Sequence, residues 1–159
     1  MNQAIASVLF CVILCFCYAS CVNFWSCGST LGRFTDVSVI GCSTKDKRCI
    51  FIPGATIVVF IKFIPDVDIP QVYARARAVK EEGDVHFVFD ESDVCKDPYS
   101  LVQCPLQKDQ EYNYTEMFIL DPNTLDYSIT LEWELVNAAG EKIVCVGIPA
   151  DLRNATRSD

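Results

Sequence analysis

The stretch Tyr127-Ser128-Ile129-Thr130-Leu131-Glu132-Trp133-Glu134-Leu135 alternates large apolar residues with polar ones at every step. Successive side chains leave a strand on opposite sides, so a period of two marks a strand with one dry and one wet face. Tyr127, Ile129, Leu131, Trp133 and Leu135 share the dry face. Residues 137–141, with Gly140 among them, then read as a polar hairpin turn, and 142–148 as the returning strand, which Pro149 is expected to end.

The same alternation recurs upstream at 34–40, 56–64, 72–79, 85–89 and 112–120. Breaks fall at Pro53-Gly54, between Pro65 and Pro70, around Gly83, at Asp97-Pro98 and at Asp121-Pro122-Asn123. About seven strands and no run of helical period predict an all-β chain. Half-buried antiparallel strands must cover their dry faces with each other, so the expected architecture is an immunoglobulin-like β-sandwich of two antiparallel sheets.

Strand 72–79 has an unusually shallow inner face, with Ala74, Ala76 and Ala78 on one side and Arg75 and Arg77 on the other. Large groups such as Phe60, Phe63, Phe87, Phe89, Phe118 and Trp133 are candidates to stand opposite it. Periodicity does not distinguish a fully packed large-to-small core from a sandwich that keeps a gap. For Arg75 and Arg77 the alternatives are a solvated strand face and a dock for anionic lipid headgroups.

The whole chain has 159 residues, 51% of them hydrophobic, and a net charge of −8, which suits a single globular domain. That acidity argues against nucleic-acid binding, which needs clustered Lys and Arg. Residues 1–21 contain no charged side chain, and their apolar run at 8–18 has the length of a signal-peptide core and is too short to span a bilayer. We expect a secretory leader cut after Ala19 or Cys21, with an uncleaved anchor as the alternative, then a domain over 22–150 and a polar tail over 151–159.

Ten cysteines fit an oxidising compartment, and six of them, Cys27, Cys42, Cys49, Cys95, Cys104 and Cys145, lie beyond the leader. Zinc is the competing use, but C-x-x-C knuckles are missing and His86 is the only histidine. Asn113-Tyr114-Thr115 and Asn154-Ala155-Thr156 are N-glycosylation sequons. An enzyme finds little support. His86 alternates away from Val85 and Phe87, and no G-x-S-x-G elbow accompanies it. The carboxylate pairs Glu81-Glu82 and Glu132/Glu134 fall in a turn and on a wet strand face, and no phosphate loop, EF-hand or dinucleotide fingerprint calls for a cofactor.

Several tracts together resemble the ML domain, the MD-2-related lipid-recognition family, and within it the Niemann-Pick type C-2 sterol carriers and the group 2 mite allergens. They are Cys27-Gly28-Ser29, Val37-Ser38-Val39-Ile40-Gly41-Cys42 followed by Cys49, Cys104-Pro105-Leu106-Gln107-Lys108-Asp109 after Cys95, Tyr112-Asn113-Tyr114, Glu132-Trp133-Glu134-Leu135, and Cys145-Val146-Gly147-Ile148-Pro149. The resemblance implies a secreted or endolysosomal sandwich with an internal hydrophobic cavity that holds a lipid. It also implies the bridges Cys27–Cys145, Cys42–Cys49 and Cys95–Cys104. By family register, Phe87, eight residues before Cys95, lies at the pocket mouth, as does Leu120. A tyrosine expected nearby is Thr124 here and a tryptophan expected after the last cysteine is Val146, which widens the expected guest from sterol to fatty acid, lysolipid or a small semiochemical.

Alternation and that register together nominate Val39, Val59, Ile61, Phe63, Ala74, Ala76, Phe87, Phe118, Leu120, Leu131, Trp133 and Val146 as the lining; the other reading of each is plain core. The expected role is a lipid carrier that touches membranes or a receptor transiently. The alternative is a module presenting lipid to an innate-immune or chemosensory receptor.

Overall fold

The computed structural model describes residues 23–42, 47–80, 83–87 and 92–153, and of 85–87 the backbone alone. The expected leader, Glu81, Glu82, Phe89 and the sequon at Asn154 lie outside the described residues. Among the described residues nine strands are formed: β1 (Trp25–Ser26), β2 (Gly32–Val39), β3 (Cys49–Phe51), β4 (Thr56–Pro65), β5 (Tyr73–Val79), β6 (Val85–Phe87), β7 (Tyr112–Ile119), β8 (Tyr127–Val136) and β9 (Lys142–Leu152). The larger sheet runs β1-β9-β8-β5-β6 with β3 also against β9, and the smaller runs β2-β4-β7. Every pairing is antiparallel except β3 with β9. No helix forms among the described residues.

The two strands beyond the expected seven, β1 and β3, are too short to display a period. Both pair with one edge of β9, β1 at Val146 and Gly147 and β3 from Ala150 to Leu152. Pro149 therefore does not end the strand: it sits opposite Thr130 in the β8–β9 ladder, and β9 continues through Leu152 into the segment expected as a tail. The reason is which way its nitrogen faces. Cys145 N–H donates to Ser29 Oγ and Cys145 O accepts from Cys27 N–H on the β1/β3 edge, and Arg153 N–H reaches Phe51 O on that edge, so by alternation Pro149 also turns its nitrogen there. It falls between the residues that β1 and β3 use, and the ladder loses no hydrogen bond.

Arg48 holds this extension down. Its guanidinium donates to Asp151 at 2.7 Å and to the carbonyls of Ile129 and Ala150 at 2.7 and 2.8 Å, while Ser128 Oγ donates to the same Asp151 carboxylate at 2.9 Å. At the other end, Gly140 takes φ +80° in the β8–β9 turn, a conformation that costs a side-chain-bearing residue.

The two sheets come closest where β2 runs beside β9. Gly32 makes that seam: a Cβ there would stand 2.6 Å from Ile64 O and 3.2 Å from Ile143 O. The bridges Cys27–Cys145, Cys42–Cys49 and Cys95–Cys104 span 118, 7 and 9 residues. In the chain-entropy picture the long one stabilises by about 4–5 kcal/mol and each short one by about 2.5 kcal/mol.

On the outer face of the larger sheet Arg77 donates two hydrogen bonds to Glu132, at 2.8 and 2.6 Å, and one to Asp84 at 3.2 Å, while Lys142 meets Glu134 at 2.7 Å. Glu132 and Glu134 are thus engaged in ion pairs, at 17% and 14% side-chain exposure, rather than merely solvated. Arg77 is committed to this lattice of ion pairs.

Two carboxylates tie the fold to pH. Asp93, buried, is held below the ordinary carboxylate range first by its hydrogen bond with Lys96 against the cost of burial, with Gln71 and the Cys95 N–H adding to it. Asp151 is lowered too: burial opposes ionisation, but Ser128, Arg48 and Arg153 together outweigh it. Groups lowered on folding stabilise above their unfolded pKa of about 3.9, and that stability is lost as pH falls through the folded value. The Tm gap between the parent and Asp93→Asn should therefore be widest at neutral pH and narrow as pH falls below the ordinary carboxylate pKa of about 3.9. A gap constant across a pH series of thermal melts would mean that the Asp93 charge does not stabilise the fold.

Candidate functional site

Strand register assembles the inner faces row by row. Across the larger sheet Phe87 pairs with Ala76, Ala76 with Trp133 and Trp133 with Val146. The neighbouring rows are Val85-Ala78-Leu131-Ile148 and Ala74-Leu135-Val144. Across the smaller sheet the rows are Phe34-Phe63-Tyr112, Val37-Ile61-Tyr114 and Val39-Val59-Glu116.

Most of the residues nominated from sequence thus face one interior. Val39, Val59, Ile61, Phe63, Ala74, Ala76, Leu120, Leu131, Trp133 and Val146 are buried, and Phe118 is half-buried against them. Phe87 enters through its backbone register with Ala76; its side chain lies outside what is described. Asn113 lies on the opposite, exposed face of β7, across from Lys62.

Three expectations about the wall facing the alanines are corrected. Trp133 and Phe87 do not stand opposite Ala76 but beside it in the same sheet, because β8 and β6 are the direct antiparallel neighbours of β5. Phe60 points outward, 40% exposed, because it alternates with the inward Val59 and Ile61. The facing wall comes instead from Ile57, Val59, Ile61 and Phe63 of β4 and from Tyr112, Tyr114 and Phe118 of β7.

Trp133 reaches across to that wall. Its ring centroid lies 6.4 Å from Tyr114 and 5.7 Å from Phe118, so the fully buried indole touches two residues of β7 that are four apart. Between those two, on the same face by alternation, is Glu116.

Tyr114 and Glu116 are the functional candidates that were not singled out from sequence. The signal was present: residues 112, 114, 116, 118 and 120 read Tyr-Tyr-Glu-Phe-Leu, a lone carboxylate in an apolar register. Tyr114 Oη donates to Glu116 Oε2 at 3.3 Å, and Met117 N–H donates to Glu116 Oε1 at 3.0 Å. Burial pushes the Tyr114 hydroxyl well up, and the Glu116 charge adds to this. Burial also raises the Glu116 carboxyl, opposed by the Met117 N–H and assisted by the negative Asp97.

Thr115 N–H reaches Ser100 O, which closes the loop around residue 100 onto the outer edge of β7. Met117 N–H faces that same edge by alternation, so the Glu116 carboxylate lies at the margin of the smaller sheet. β6 is the corresponding margin of the larger one. Elsewhere, Cys27, Cys145 and Glu132 lie close together, but the two sulfurs are bonded to each other and offer no thiolate to a metal.

Comparison with known proteins places this geometry among relatives. Residues 21–152 match the ML domain family model. The chain is 31% identical to a Drosophila melanogaster NPC intracellular cholesterol transporter 2 homolog a, over 86% of this chain and 90% of that protein. It is 28% identical to the Bos taurus NPC intracellular cholesterol transporter 2, over 96% and 99%. Among solved structures, a Niemann-Pick type C2 protein from the Japanese carpenter ant superposes with TM-score 0.78 at 37% identity, covering 82% of this chain and 99% of the ant protein. Chicken MD-1 complexed with lipid IVa shares the fold at TM-score 0.50 and 15% identity, over 79% of this chain and 85% of that one.

The different burial of the two aromatic partners has a measurable consequence. Trp133→Ala should lower unfolding free energy by about 3–5 kcal/mol in denaturant titrations. Phe118→Ala, at the half-buried margin, should cost about 1 kcal/mol, roughly half the transfer value of a buried ring. Equal losses would show that Phe118 is central core instead of margin.

Proposed function

The chain belongs to the ML domain family, and from that membership we propose that it is a secreted carrier. It encloses one apolar ligand, of the sterol, fatty acid or lysolipid class, between its sheets and moves it between membranes or to a receptor. The observation that carries the reading is the uneven inner surface: Ala74, Ala76 and Ala78 make a low floor while Trp133, Phe63, Tyr114 and Phe118 stand tall around it. An apolar guest filling that low ground leaves water at about 2.5 kcal/mol gross per 100 Å². Association costs of about 4–15 kcal/mol offset this, so useful affinity requires near-complete enclosure in a preformed interior. The three bridges and the ion-pair lattice outside support such rigidity, and the bridges support an oxidising compartment.

We assign no enzymatic step to the chain: the carboxylates Glu132 and Glu134 are consumed by Arg77 and Lys142 on the face away from the interior. Phe87 is assigned to the rim, and an N-glycan to Asn113, on the outer face of β7.

Native mass spectrometry of the secreted protein, followed by organic extraction, tests the reading. A lipid at near-unit stoichiometry, and vesicle-to-vesicle transfer that rises with protein concentration, are the expected results. Failure to bind any sterol, fatty acid or lysolipid would overturn it. A sharper test fills the floor: Ala76→Leu should lower lipid affinity at least about tenfold while costing less than the roughly 1–3 kcal/mol typical of an overpacked core. Strong destabilisation with unchanged binding would show that no room exists there. Phe87→Ala should likewise weaken binding more than folding.

A further inference from the structure

We infer that Tyr114 and Glu116 form the polar end of the interior and select lipids whose head group donates a hydrogen bond, an alcohol in preference to a carboxylate. The inference rests on the carrier reading and narrows its ligand class.

Glu116 ends the row Val39-Val59-Glu116 on the inner face of the smaller sheet. The residues on either side of it along that face, Tyr114 and Phe118, both pack against Trp133. A ligand lying on the Ala76–Trp133 row therefore ends beside this carboxylate. A carboxylate in an apolar row is costly unless its oxygens are satisfied. Each oxygen accepts one hydrogen bond, from Tyr114 Oη and from Met117 N–H. An ionised carboxylate has about four acceptor sites, so positions remain for an incoming hydroxyl.

The same arrangement opposes an anion. Both groups already donating to Glu116 hold it as an acceptor, and the further charge acting on it is the negative Asp97. A fatty-acid carboxylate would bring a third negative charge to a half-buried place where screening is weak. A lipid hydroxyl donates to Glu116 without that repulsion, and a hydrogen bond to a charged acceptor is among the stronger ones.

The test uses the delipidated full-length secreted protein at neutral pH and two ligands with the same chain, octadecan-1-ol and stearate, each displacing the fluorescent probe N-phenyl-1-naphthylamine. In the parent, octadecanol should displace the probe at about a tenfold lower concentration than stearate, the factor that corresponds to about 1.4 kcal/mol. Glu116→Gln removes the charge and adds an amide donor; stearate should then gain and the preference fall to about twofold or less. Stearate preferred by the parent, a result that needs no variant, overturns the inference. An alcohol preference unchanged in Glu116→Gln overturns it too, and in both cases the carrier reading stands because both lipids bind. Absence of any displacement by either lipid in the parent, with no binding of the probe, overturns the carrier reading and this inference together.

Discussion

The indole of Trp133 bridges the two sheets. It is fully buried, it rises from the middle of β8, and its ring meets Tyr114 and Phe118 of β7 on the far wall. Beside it Ala76 stops at a single carbon. A tall side chain next to a low neighbour makes the inner face of the larger sheet uneven, and here the tall one bears the contact between the sheets. The seam at Gly32 does the opposite, drawing β2 and β9 together where no side chain intervenes. The interior is shaped by the contrast between these two places.

Rigidity is supplied from outside that interior. Arg77 with Glu132 and Asp84, Lys142 with Glu134, and Arg48 with Asp151 all lie on outer faces or strand ends, and the long bridge ties β1's neighbour Cys27 to β9. Keeping polar and covalent restraints outside leaves the inner faces free to be apolar, with Glu116 as the exception. In the carrier reading this separation is functional: a guest that meets a preformed wall does not have to order it on binding.

Much of this was legible along the chain. Alternation located the strands that became β2, β4, β5, β6, β7, β8 and the first part of β9, and it put Ala74, Ala76 and Ala78 on one face and Arg75 and Arg77 on the other. It failed where pairing is made by a partner instead of a period. β1 and β3 are strands only because β9 offers them an edge, and Pro149 stays in its strand only because its nitrogen faces the space between them. Glu132 and Glu134 looked solvated for a related reason: their cationic partners come from other strands.

By itself the sequence determined which side of each strand is apolar, since that depends only on residue parity, and so it determined that a sandwich would form. Strand order and the meeting of the sheets were decided by tertiary structure. Trp133 became the neighbour of Ala76 through the β5–β8 pairing, and it came to touch the two rings on either side of Glu116 through the facing of two sheets. Parity is a local property of the backbone, whereas those juxtapositions join residues of different strands, whose approach depends on which strands pair and how the sheets face each other.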